Sequence, residues 1–186
     1  HAEHRTAGIV ADRLRQSGYK VTTGVGGTGV VGILRNGTGP TVLLRADMDA
    51  LPVQEDTGLP YASTVVAPSP TGEGQVPVAH ACGHDMHTAC LLGAADLLAQ
   101  GQKHWSGTLV ALFQPAEETV DGAQGMVNDG LAKLVSPVDV VLGQHVAPLP
   151  AGCVAAQAGP SFAAADCIRI TVYGRGGHAS RPETTI

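Results

Sequence analysis

The chain has 186 residues, 44% hydrophobic and 15% charged, which supplies one substantial core and part of a second domain. Its net charge of -5 comes without acidic or basic runs, which excludes nucleic acid and anionic membrane surfaces and points to a small-molecule or peptide partner. Four cysteines without paired spacing exclude a disulfide-stapled scaffold and predict a cytoplasmic setting; no apolar run is long enough for a membrane span, and no leader pattern opens the chain.

Taken in order, the apolar residues Ala7, Val10, Ala11 and Leu14 recur at helical spacing from about Glu3 to Ser17, with Gly18 placed to end the helix. Val30 to Leu34 and Thr41 to Leu44 are strand-like, and Asn36-Gly37-Thr38-Gly39 between them predicts a hairpin. The Pro, Gly, Ser and Thr content from Pro52 to Pro77 predicts a long surface loop. His84 or Asp85 opens a buried helix to Gln100, and Leu109 to Phe113 reads as a buried strand. An amphipathic helix over Ala123 to Leu134 and a buried strand over Val138 to Leu142 follow. Cys167 to Tyr173 starts a further strand, with a domain boundary near Ala165. The sequence starts directly before a helical pattern and stops just after a Gly-rich turn, as a piece cut from a longer chain would.

Alternating strands and helices predict an α/β layered domain with a mixed, largely parallel sheet, whose ligands bind at the carboxyl ends of its strands. Asp47 and Asp49, then Glu117 and Glu118, then His145 each follow an apolar strand, so separate strands deliver ionisable groups to one edge.

The densest cluster is His80-Ala81-Cys82-Gly83-His84-Asp85-Met86-His87, with three imidazoles, one thiol and one carboxylate in eight positions. Imidazole nitrogen and thiolate sulfur suit zinc and related ions, and the glycine between Cys82 and His84 lets a turned loop aim both at one ion. The alternative is a helix start with Asp85 as a first-turn charge and solvated histidines. Glu117 and Glu118 could divide the work of a metallohydrolase, one as ligand and one as proton carrier, or could be a solvated helix N-terminus. Asp47 and Asp49 are either ligands or partners that orient a ligating histidine through its other ring nitrogen, and the second reading is preferred. His178, after Gly176-Gly177, could donate to a developing oxyanion or could close a strand. Cys90, Cys153 and Cys167 read as small core residues.

The segments Arg45-Ala46-Asp47-Met48-Asp49-Ala50-Leu51-Pro52, His80 to His87, Gln114-Pro115-Ala116-Glu117-Glu118, Gly143-Gln144-His145-Val146 and Gly176-Gly177-His178-Ala179 together resemble the amidohydrolase branch of the M20 metallopeptidases. That branch includes hippurate hydrolase, N-acyl-amino-acid amidohydrolases and plant auxin-conjugate hydrolases. The resemblance implies that Cys82, His84, Glu118 and His145 bind two divalent ions, whether zinc, manganese, nickel or cobalt. Glu117 is then general base and general acid, and Asp47, Asp49, Asp85 and His87 support the ligands. It also implies a catalytic domain over residues 1–164 and the beginning of a small α+β lid or dimerisation domain over 165–186. In a homodimer, His178 would reach the partner's site. The family takes a last histidine ligand from near its C-terminus; this sequence has no counterpart, so this piece alone is expected to bind metal weakly. The expected reaction is hydrolysis of the amide bond of an N-acyl amino acid or a related small amide or peptide. A non-catalytic binding or assembly module on the same fold predicts lost ligands or a lost base, yet the four front-half ligands and the base are present. A zinc nucleobase deaminase expects His-x-Glu followed by Pro-Cys-x-x-Cys, a combination that is absent.

Overall fold

The computed structural model describes residues 2–69, 72, 74–135, 137–161, 168, 170, 171, 173, 174, 176 and 180. They divide into two compact units, His1–Ala147 and Pro148–Ile186. The boundary expected near Ala165 and the strand expected from Cys167 fall largely outside the described residues.

The first unit begins with α1 (His4–Gln16), whose Val10, Ala11 and Leu14 form the buried stripe that the spacing predicts. Next come β1 (Lys20–Val25) and β2 (Gly29–Asn36), an antiparallel hairpin with a register shift between Thr23 and Val25. This corrects the expected hairpin of β2 with β3 (Thr41–Asp47), since those strands are not paired. The Gly37 to Pro40 link instead steps over a strand's width, and the Pro40 carbonyl accepts the N–H of Thr108 at the strand that lies between (2.9 Å).

The exposed segment after β3 carries a small ribbon, β4 (Val66–Pro68) with β5 (Gln75–Pro77), inside the expected loop. A two-bond bridge between Leu51 and Ala79 ties its ends, so the excursion leaves and returns at the same place. α2 (His84–Gln100) is helical as expected but buried along one stripe only, His84, His87, Thr88, Leu91 and Ala95. Cys90 falls between those positions and is exposed, as is Cys153 in the second unit, which corrects their reading as core residues; Cys167 lies outside the described residues.

β6 (Gly107–Gln114) is the central strand, paired antiparallel with β2 and parallel with β3. The helix expected over Ala123 to Leu134 is broken into α3 (Gly122–Asn128) and α4 (Leu131–Val135). Between them Asp129 leaves the helix and accepts the N–H of Gly26 (2.7 Å). Last comes β7 (Val140–Gly143), parallel to β3. It was expected to be buried, but it pairs only with β3 among the described residues and is exposed along its length.

The mixed sheet therefore runs β1-β2-β6-β3-β7. Alternation along β6 feeds both faces: Leu109, Ala111 and Phe113 pack with α1 and α2, while Val110 and Leu112 pack with Met126 of α3. β3, β6 and β7 are parallel, and β6 and β7 flank β3 on opposite sides. A crevice is expected where crossovers leave in opposite directions, outside the strands' carboxyl ends. Asp47, Gln114 and Gly143 end those strands, and the ionisable clusters follow directly. Among the described residues no helix is long and apolar enough to cross a membrane.

Candidate metal centre

Three histidines meet at this edge, and the oxygens around them fix where each carries its proton. His84 Nδ1 faces two acceptors, the Asp49 carbonyl (3.1 Å) and Asp49 Oδ1 (3.0 Å), so Nδ1 is a donor and Nε2 is the nitrogen turned toward the site. His145 Nδ1 donates to the carbonyl of Val146 (2.7 Å), and its Nε2 lies 3.5 Å from Cys82 Sγ. His87 Nδ1 lies 2.5 Å from Asp47 Oδ1, and its Nε2 accepts the backbone N–H of Val146 (2.9 Å).

His84 Nε2 and Glu118 Oε1 are both buried without a hydrogen-bond partner and stand 3.9 Å apart. Glu117 Oε2 is also 3.9 Å from His84 Nε2. Asp47 Oδ2 is nearer still, at 3.7 Å. Buried polar atoms left unpaired cost about 1–3 kcal/mol each, so an imidazole nitrogen ringed by three carboxylates calls for positive charge among them. Bonds of about 2.0–2.3 Å in tetrahedral geometry separate donors by about 3.3–3.8 Å, a range that holds the spacing of Cys82 with His145 and falls just short of that of His84 with Glu118. Among the described residues every donor group contains His84, the first with Cys82 and His145, the second with Glu117 and Glu118. A third, Asp47 with His84 and His87, satisfies the same distance test, but both His87 nitrogens are already used. The chemistry of the first two sets, thiol, imidazole and carboxylate, fits a divalent transition ion.

Charge agrees with geometry. The Cys82 thiol is pushed up, first by burial and then by the neighbouring charges of Glu118, Glu117 and Asp47, so the protein alone disfavours a thiolate. A divalent cation reverses that balance. Burial by itself raises the Asp47 pKa, yet the His87 hydrogen bond and the charge of Arg45 outweigh it and hold the carboxyl below its ordinary value.

The local backbone is built for these positions. Gly83, at the start of α2, has φ +82°, and a Cβ there would lie 2.4 Å from Val146 Cγ2, so only glycine lets the Cys82 turn pack on the His145 loop. After β6 the chain turns sharply: Ala116 (φ +49°) and Val120 (φ +61°) are left-handed without being glycine, and they bracket Glu117 and Glu118. The turn closes where the Gly122 N–H donates to the Ala116 carbonyl (3.1 Å); a Cβ on Gly122 would lie 1.7 Å from the Pro115 carbonyl oxygen. Such strain collects at functional sites, where the surroundings hold it. Asp49 joins the two halves, since its Oδ2 accepts the Glu118 N–H (2.9 Å) while Oδ1 holds His84.

The structure thus brings together Cys82, His84, Glu117, Glu118 and His145, with Asp47, Asp49 and His87 directly behind them. Asp85 is exposed in the first turn of α2 and belongs to none of these donor groups; His178 lies outside the described residues. Arg45 and Gln114, quoted above without a role, hold the back of the site: Arg45 Nη1 donates to Asp47 Oδ2 (2.7 Å), and its Nε and Nη2 donate to Gln114 Oε1 (3.0 and 2.8 Å). Residues two apart on a strand share a face, a period that links Arg45 to Asp47 in the sequence.

Comparison with known proteins agrees. Residues 43–182 match the family described as Peptidase family M20/M25/M40. Thermostable carboxypeptidase 1 of Saccharolobus solfataricus is 44% identical over 191 aligned positions, covering 100% of this chain and 45% of that protein. Hippurate hydrolase of Campylobacter jejuni is 44% identical over 180 positions, covering 96% of this chain and 44% of that protein. The crystal structure of the Bacillus subtilis YXEP protein, a dinuclear metal binding peptidase from the M20 family, superposes with a TM-score of 0.67 at 35% identity, covering 78% of this chain and 38% of that one. The chain therefore spans about 45% of the length of these curated relatives. Sequence, fold and the donor cluster at the carboxyl ends of β3, β6 and β7 lead to one conclusion: the protein belongs to peptidase family M20/M25/M40.

Proposed function

We propose that the full-length protein is a metal-dependent amidohydrolase that cleaves the amide bond of N-acyl amino acids or related small amides and peptides. The observation that carries this reading is the buried, unpartnered Nε2 of His84 facing the carboxylates of Glu117 and Glu118. Cys82, His84, Glu118 and His145 would hold two divalent ions, whether zinc, manganese, nickel or cobalt. Bound there, the ions supply positive charge that polarises a scissile carbonyl and acidifies water. Glu118, the more buried carboxylate at 24% side-chain exposure, suits a ligand; Glu117, at 39%, faces the substrate side and moves the proton. Glu117 takes it from the attacking water and returns it to the leaving nitrogen. Asp49 keeps His84 in the tautomer that offers Nε2.

The same reading assigns residues 1–164 to the catalytic domain and 165–186 to the beginning of a lid through which two copies pair, with His178 donating to the oxyanion in the partner's site. It also assigns a cytoplasmic location. Support comes from the resemblance of the His178 motif and, for the substrate class, from relatives such as the hippurate hydrolase.

Glu117→Gln in the full-length protein is the direct test. Turnover of a panel of N-acyl amino acids is expected to fall by about 100-fold or more while folding and metal content stay near wild type. Retention of most of the activity would remove Glu117 from the reaction.

A further inference from the structure

His84 and His87 sit one helical turn apart at the start of α2; His87 donates Nδ1–H to Asp47, which ends β3, and His84 donates its own to Asp49, two residues beyond. Their Nε2 atoms differ. That of His84 is buried and unpartnered, whereas that of His87 is taken up by the Val146 N–H. A backbone N–H only donates, so Nε2 of His87 is the acceptor and Nδ1 the donor, which leaves His87 no lone pair for an ion. What it holds is the loop after β7, at the residue that follows His145. The His87 and His145 rings stand edge to face at 4.6 Å, and His145 Nε2 lies against Cys82 Sγ.

Behind His87 the chain of bonds continues into the sheet. Asp47, fully buried, shares its carboxylate between His87 and Arg45, and Gln114 of β6 locks the Arg45 guanidinium through two of its nitrogens. β6, β3, α2 and the β7 loop are thereby joined through side chains in addition to the sheet pairing of the strands.

We propose that Gln114, Arg45, Asp47 and His87 form a positioning relay that fixes the His145 loop, so that His145 Nε2 and Cys82 Sγ converge on one ion, with His87 itself not a ligand. This rests on the metal-centre reading above for its consequence, but not for the anchor itself. The relay is a rigid strut: a donor tilted by a bond's width no longer completes the ligand set, and loss of such supports weakens metal affinity by about 10–100-fold.

Two readouts separate the anchor from the metal. In metal-free protein, long-range proton–nitrogen correlation is expected to show His87 protonated on Nδ1 alone. The Val146 amide is expected to exchange slowly in wild type, fast in His87→Phe, and slowly again in His87→Gln, whose Oε1 can replace Nε2 as the acceptor. Titration with Co(II) alone, followed by the thiolate charge-transfer band, is expected to show His87→Phe binding the same number of ions about 10–100-fold more weakly, with most of the affinity restored in His87→Gln. A proton on Nε2 of His87, or loss of one whole ion in His87→Phe that Gln does not restore, would overturn the proposal. If His87→Phe fails to fold, the tautomer and the Gln variant still decide it. Absence of Co(II) binding in wild type would instead sink the metal-centre reading and leave amide exchange to judge the anchor.

Discussion

Asp49 spends both carboxylate oxygens on the site, one on His84 Nδ1 and one on the Glu118 N–H. Removing it frees a ring and a backbone amide together. Asp49→Ala is therefore expected to weaken metal binding by about 10–100-fold, with Asp49→Asn recovering part through its remaining oxygen; competition titration with a zinc indicator checks this. A different economy governs Val120, a β-branched residue at φ +61° and 82% exposed. A left-handed conformation costs a residue with a Cβ about 1–2 kcal/mol, partly offset by the flexibility glycine adds to the unfolded chain. With no packing to lose, Val120→Gly is expected to raise unfolding free energy by about 0.5–1 kcal/mol in urea titration; a loss would mean that the strain is not there. At this scale the ligand types were legible in the sequence, because thiol, imidazole and paired carboxylates announce their chemistry. The work of His87 was not, because it depends on a backbone N–H brought from 59 residues away.

Among the elements, β6 and β7 mark opposite extremes. Phe113 of β6 is fully buried between neighbours on both sides, whereas Val141 of β7 is 65% exposed. Phe113→Ala is expected to cost about 3–5 kcal/mol, while Val141→Ala stays within about 0.5 kcal/mol in this chain; thermal or urea unfolding of the pair checks the contrast. Periodicity revealed α1, α2 and β6 because each buries a full stripe or strand. It passed over β1, whose Lys20-Val21-Thr22-Thr23-Gly24-Val25 buries only its last residue at the sheet's edge. The turn composition of Asn36 to Gly39 suggested a local hairpin, but β6 enters between β2 and β3 from far along the chain. Local composition carries no information about such an insertion. The break between α3 and α4 was equally hidden, since it answers to the distant N–H of Gly26.

Over the whole molecule, the parallel direction of β3, β6 and β7 turns three separate stretches of sequence into one site. That convergence was legible because each strand is apolar and each is followed at once by its ionisable residues. The relay behind it also ties fold to pH. The Asp47 pKa is lowered on folding from an ordinary value of 3.8, so its charge stabilises the metal-free fold above that value, and the contribution is lost as pH falls through the lower folded value. Asp47→Asn is expected to flatten this acid limb of a stability-against-pH curve, and an unchanged limb would place the dependence elsewhere. The most direct test of the metal centre is Co(II) titration of the full-length protein beside its Cys82→Ala and His84→Ala variants, read by absorption. The account predicts a thiolate charge-transfer band in wild type, no such band in Cys82→Ala, and the greatest loss of affinity in His84→Ala, because His84 belongs to every donor group among the described residues. Equal binding and equal spectra in all three proteins would contradict it.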